Sequence, residues 1–184
     1  MSAIRVSRAV LVALLLSGAT ATFAQGGSVE ETPREARSER RAALGLDARG
    51  FAVSAGVWDF GKFDDLEIGV DYGFGVWRWW LVPRLGLQLT DQGTVLVHVG
   101  LRRDFPVGER WSLTPSFAAG YWEQGDGKDL GNALEFRSGL EITRRLPRGG
   151  RIGIGGYHVS NASRSERNPG ANSILLRYRL PPRR

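Results

Sequence analysis

From Phe51 onward, apolar and polar residues exchange places at every second position. Between residues 95 and 102, Val95, Val97, Val99 and Leu101 share one parity, while Leu96, His98, Gly100 and Arg102 share the other. Between 111 and 121 the split is sharper: Trp111, Leu113, Pro115, Phe117, Ala119 and Tyr121 oppose only Ser112, Thr114, Ser116, Ala118 and Gly120. Between 134 and 142, Leu134, Phe136, Leu140 and Ile142 oppose Glu135, Arg137, Gly139 and Glu141. A period of two is that of a strand, whose successive side chains point to opposite faces. The pattern predicts eight strands, over residues 51–58, 66–74, 76–89, 94–103, 110–121, 132–145, 151–160 and 172–180.

Alternation suits a soluble sandwich as well as a membrane barrel, and length separates the two. Several segments run to ten residues or more, and a membrane-spanning strand needs roughly 9 to 11. The polar faces hold too few apolar residues to be anything but a lumen or a wet surface. An even count returns both ends of the chain to one side. The expected fold is therefore all-β, an eight-stranded antiparallel transmembrane β-barrel of the outer membrane spanning residues 51–184. Small residues and the charges of Arg84, Glu135, Arg137 and Glu141 would fill its narrow interior. Trp58, Trp77, Trp79, Trp80, Trp111, Tyr121, Trp122 and Tyr178 fall near strand ends, where aromatic belts meet the lipid interface.

Ahead of Phe51 the pattern is different. Arg5 and Arg8 precede the apolar run 9–16, and small residues follow up to Ala24, so residues 1–24 read as a secretory signal peptide whose apolar run is too short to span a bilayer as a helix. Residues 25–50 are rich in Glu and Arg and contain Pro33, which predicts a solvated periplasmic linker with one short helix near 35–44.

Composition narrows the chemistry. Loss of the signal peptide lowers the formal charge from +6 to +4, with no basic block, which argues against a nucleic-acid partner. The chain has no cysteine, so disulfides and thiolate metal sites are excluded, and its two histidines, His98 and His158, are sixty residues apart, a poor start for a metal centre. His98 falls on the lumen face and reads as a structural hydrogen-bonding residue. Asp59, Asp64, Asp65, Asp126 and Asp129 fall in expected external loops and read as solvated carboxylates.

His158 has the other parity. With the N-terminus in the periplasm, the seventh strand runs outward and ends at the cell surface. Ile152, Ile154, Gly156, His158 and Ser160 share a parity that the isoleucines mark as the lipid face. On the eighth strand Asn172 shares the parity of Ile174, Leu176 and Tyr178. Three polar groups therefore converge on an outward surface at the outer-leaflet end. An unpartnered polar group in hydrocarbon costs about 1 to 3 kcal/mol. Residues two apart on a strand lie about 6.5 to 7 Å apart and point the same way, so the His158 imidazole can reach the Ser160 hydroxyl, the relation a serine nucleophile has to its base.

At these residues the sequence resembles the PagL-type lipid A 3-O-deacylases. The likeness is carried by His158-Val-Ser160-Asn161-Ala162, Asn168-Pro169-Gly170 and the final strand Ser173–Tyr178, with residues 131–136 (GNALEF) faintly similar. It implies an eight-stranded barrel with a lipid-facing triad that hydrolyses the ester-linked acyl chain at the 3-position of lipid A, without metal or cofactor. By that likeness Ser160 is the nucleophile and His158 the general base, and Asn161, Ala162, Asn168 and Gly170 lie near the oxyanion site. Lipid A or lipopolysaccharide is the implied partner, the outer membrane the location with the site toward the outer leaflet, and a homodimer is compatible with the likeness. The third triad position departs from the family: Asn172 stands where the family has glutamate, and Glu166 in the preceding loop is the other acid to consider. Two further readings stay open, a family barrel that is catalytically weak or inactive and serves as a structural or lipid-binding protein, and a phospholipid esterase.

Overall fold

The computed structural model describes residues 48–62 and 64–181. The signal peptide and nearly all of the expected linker lie outside the described residues. The first strand begins two residues earlier than the alternation suggests.

Among the described residues nine segments are extended: β1 (Arg49–Trp58), β2 (Asp65–Phe74), β3 (Val82–Thr90), β4 (Val95–Arg102), β5 (Phe105–Val107), β6 (Trp111–Glu123), β7 (Leu134–Arg145), β8 (Arg151–Ser160) and β9 (Ala171–Arg179). Sequence neighbours other than β4 and β5 pair antiparallel, β4 pairs with β6, and β9 returns to β1, so the sheet closes on itself. Closure leaves no edge whose backbone groups would face hydrocarbon. The short β5 is not a ninth stave. It keeps the register of β4 against β6, with Arg102 opposite Ser116 and Phe105 opposite Leu113. The break between them falls opposite Pro115, which has no N–H to give to a ladder. There the Arg103 N–H still donates to the Pro115 carbonyl at 3.1 Å. The barrel is therefore eight-stranded.

One expected strand is shorter than its pattern. Residues 76–81 do not extend β3; Arg78–Trp80 form a single 3-10 turn, with Trp79 and Trp80 at φ 55° and 63°. Trp77 N–H donates to the Leu81 carbonyl at 2.7 Å and closes the turn. Trp77, Trp79 and Trp80 are all exposed, so no buried face enforces a period of two on them, and tryptophans at an interface serve a turn as well as a strand.

Parity sets the lumen. Glu67, Asp71, Arg84, His98, Arg137, Glu141, Tyr157 and Arg177 are buried inside, and the aliphatic residues of the opposite parity face outward. Buried charges are tolerable mainly as mutual partners, and these are, whereas Glu135, also buried, has no ion pair or hydrogen bond among the described residues. Arg177 reaches Asp71 at 2.8 Å and Glu141 at 3.3 Å, and Tyr157 donates to Glu141 at 2.8 Å. The Arg137 guanidinium lies 3.6 Å from the centre of the Tyr157 ring. Gly139 makes room for that ring, because a Cβ there would fall 2.2 Å from Tyr157 Cδ1.

The two ends of the barrel differ. One carries the connections 75–81, 108–110 and 146–150; the other carries 59–64, 91–94 and the two longest loops, 124–133 and 161–170. Inside the long-loop end sits a small apolar cluster of Trp58, Leu96, Trp122, Leu130, Val159 and Ala171. Trp58 and Trp122 stack there with centroids 5.0 Å apart. These two were expected in the lipid-interface belt. Their parity turns them inward, where they cap the polar lumen, while Trp111, Tyr121 and Tyr178 keep the outward positions.

Candidate functional site

The site is built on β7, β8 and β9 where they approach the long loops. In the register, His158 stands opposite Ser138 on one side and Asn172 on the other, and Ser160 stands opposite Phe136. His158, Asn172 and Ser138 are exposed on the outward face, and Ser160 is half-buried there. Below them Gly156 leaves open space on the same face. Beside Ser160, Phe136 stacks on Phe117 at 5.9 Å.

His158 and Asn172 are hydrogen-bonded, with Nδ1 and Oδ1 2.9 Å apart. With the amide oxygen as acceptor, Nδ1 carries the proton and the lone pair lies on Nε2. That is the tautomer a base needs toward a serine. Ser160 shares the face of His158 two residues along, yet among the described residues no hydrogen bond joins the two side chains. Glu166, the alternative acid, is exposed in the loop, and the imidazole takes Asn172 as its partner.

The loop 161–170 is folded around Asn161, which is fully buried. Its Nδ2 lies 2.9 Å from the Leu130 carbonyl, 2.7 Å from Ser165 Oγ and 2.8 Å from the Arg167 carbonyl. Its main-chain N–H donates to Asn168 Oδ1 at 3.1 Å. Asn161 thus holds the loop from within, and its side chain does not face the lipid side where His158 lies. Ala162 and Ser163 follow at φ 54° and 59°, a region non-glycine residues enter rarely. Gly170, at φ +56°, passes close to the imidazole: a Cβ there would stand 2.9 Å from His158 Cε1.

Two charged residues near this loop escape a reading by periodicity. Asp59 is buried, and Lys128 Nζ lies 2.7 Å from its Oδ2 and 2.6 Å from the Gly170 carbonyl oxygen. Asp65 is buried too, so two of the carboxylates expected in solvent are not. The partners Asp59 and Lys128 are 69 residues apart, and no local signal joins them. Among the described residues no cluster of His, Cys, Asp and Glu side chains could hold a metal ion.

Residues 62–181 match the family described as lipid A 3-O-deacylase (PagL). The chain belongs to the PagL family. In its fold it is similar to the crystal structure of the outer membrane enzyme PagL, with a TM-score of 0.59 at 18% identity, over 71% of this chain and 98% of that one. It also matches a de novo designed transmembrane β-barrel, with a TM-score of 0.46 at 13% identity, over 71% of this chain and 94% of the design. The Yersinia pestis outer membrane protein Ail, determined in a phospholipid bilayer nanodisc, matches with a TM-score of 0.43 at 12% identity, over 72% and 99% of the two chains. No curated protein sequence matches. The PagL match covers β2 to β9 and with them every residue of the candidate site. The protein is an outer-membrane barrel of a lipid A deacylase family.

Proposed function

We propose that the protein is an outer-membrane serine esterase that removes the ester-linked acyl chain at the 3-position of lipid A. The observation that carries this reading is the 2.9 Å bond between His158 Nδ1 and Asn172 Oδ1 on the outward face, two residues from Ser160. A membrane lipid meets that face without leaving the bilayer. The long-loop end, which is commonly the extracellular one, would put the site in the outer leaflet, where lipid A resides.

In the reaction, Ser160 Oγ attacks the ester carbonyl carbon as His158 Nε2 takes the hydroxyl proton. Rotation of the Ser160 side chain brings the two together, as is common when a site tightens only around its substrate. The tetrahedral oxyanion needs N–H donors. Because Asn161 is occupied by the loop, these are the Asn168 side-chain amide and the main-chain N–H groups of Ala162 and Gly170. Collapse breaks the bond to the sugar oxygen, which takes the proton from Nε2 and leaves as the alcohol. Water, deprotonated by His158, then releases the fatty acid and restores Ser160. Asn172 orients the ring but has no charge to stabilise the imidazolium, so turnover is expected to be slow for this chemistry.

Asn172 also supports a second reading, a family barrel that binds lipid without hydrolysing it. Lipid A from cells with and without the gene, compared by mass spectrometry, separates the two. The first reading expects loss of one hydroxy fatty acid, and a Ser160→Ala protein more than about a thousandfold slower in detergent micelles. Identical lipid A from both cells would leave only the second. Diacylglycerophospholipid offered in the same micelles tests whether the esterase acts on phospholipid instead.

A further inference from the structure

We infer that Lys128 is a positioning residue for His158, acting through the main chain of Gly170. The inference rests on the reading of His158 as the general base, and it adds a residue that neither the motif nor the register contains. The floor under the imidazole is backbone: a Cβ at Gly170 would stand 2.9 Å from His158 Cε1 and 3.4 Å from Nε2. The wall on the other side is Asn172, bonded to Nδ1. Residues 170 and 172 flank Ala171 at the start of β9, so the ring is set by where this short piece of chain lies.

Two loops hold it there. Lys128, from the β6–β7 loop, brings its ammonium to the Gly170 carbonyl oxygen at 2.6 Å and to Asp59 Oδ2 at 2.7 Å. Phe60, the neighbour of Asp59 in the β1–β2 loop, donates its N–H to the Asn172 carbonyl at 3.0 Å. Asp59 is only 1% exposed, so its carboxylate depends on the ammonium for a partner, and the ion pair is shielded from competing water. The contacts continue along the same loop: Asp129 pairs with Arg167 at 2.7 Å, and the Leu130 carbonyl faces Asn161 Nδ2 at 2.9 Å. Three successive residues of the β6–β7 loop therefore grip three points of the loop that carries the expected oxyanion donors. Lys128 is the one of the three that grips next to the imidazole. Its charge also explains a buried aspartate in a loop otherwise open to water.

A positioning role requires that loss of the ammonium change the state of His158 more than it changes the fold. The full chain, refolded in detergent micelles with ¹⁵N-labelled histidine, contains one outward and one lumenal imidazole, His158 and His98. In Lys128→Met the Nδ1 and Nε2 signals of His158 are expected to shift, while those of His98 stay in place. On lipid A, kcat is expected to fall by tenfold to about a hundredfold, the scale of a misplaced catalytic group, with KM changed less than about twofold. Lys128→Arg is expected to restore most of both. If Lys128→Met does not fold, Asp59→Asn reads the same signals with the ammonium left in place and its partner neutralised. His158 signals and kcat unchanged in a folded Lys128→Met protein would overturn the inference, as would a shift of the His98 signals as large as that of His158. A wild-type protein inactive on lipid A would defeat the esterase reading alone, since the His158 signals still report whether Lys128 sets the ring.

Discussion

Tyr157 and His158 are neighbours on one strand, and they show two uses of polar groups in a barrel. Tyr157 turns into the lumen and donates to Glu141 at 2.8 Å, in a network with Arg177, Arg137 and Asp71. His158 turns outward and bonds Asn172 at 2.9 Å, on the same face as Ile154 and Ile174. Inside, Asp71, Glu141 and Arg177 each have more than one partner, and removal of one disturbs the others. Outside, four polar side chains, His158, Asn172, Ser138 and Ser160, stand where leucine or valine would serve stability better. The inner set is explained by the fold, whereas the outer set calls for a substrate.

The sharpest way to break this contrast is to remove the shared acceptor of the inner set. Glu141→Ala leaves the Tyr157 hydroxyl without its acceptor and removes one carboxylate from Arg177, and a loss of about 3 to 5 kcal/mol is expected. The midpoint of denaturant unfolding in micelles measures it, and hydrolysis per folded molecule should stay within about twofold of wild type. A folded Glu141→Ala protein without activity would show that the two sets are coupled. On the outer set, Asn172→Glu introduces the charge the imidazolium lacks and is expected to raise kcat tenfold or more, with little change in the unfolding midpoint. An unchanged or lower kcat would mean that the ring already has adequate support. The mildest change is Tyr157→Phe, which removes one buried hydrogen bond and should cost about 1 kcal/mol, without effect on lipid A hydrolysis measured alongside.

Much of this contrast was legible in the alternation of residues. Parity alone sent His98, Arg137 and Glu141 inward and His158 and Asn172 outward, because each strand has one face in lipid and a period of two cannot slip without exposing charge. The same parity placed Trp58 and Trp122 inside, but their location near strand ends suggested a belt; burial follows parity and not proximity to an end. The Trp77–Trp80 turn was illegible for the opposite reason, since exposed tryptophans satisfy either conformation. Nor could periodicity show that Asn161 turns its amide into its own loop, or that Asp59 meets Lys128 across 69 residues. Those contacts lie between loops, where no repeating face constrains the sequence.

The seam between β9 and β1 also bears on the candidate site. His158 and Asn172 come from the last two strands, and the Asn172 carbonyl is held by Phe60 in the loop just after β1. A final hairpin that has not yet met the first strand already pairs His158 with Asn172, but it lacks the Phe60 N–H that holds the Asn172 carbonyl. Completion of the ring therefore adds a last restraint on the short piece of β9 that carries Asn172.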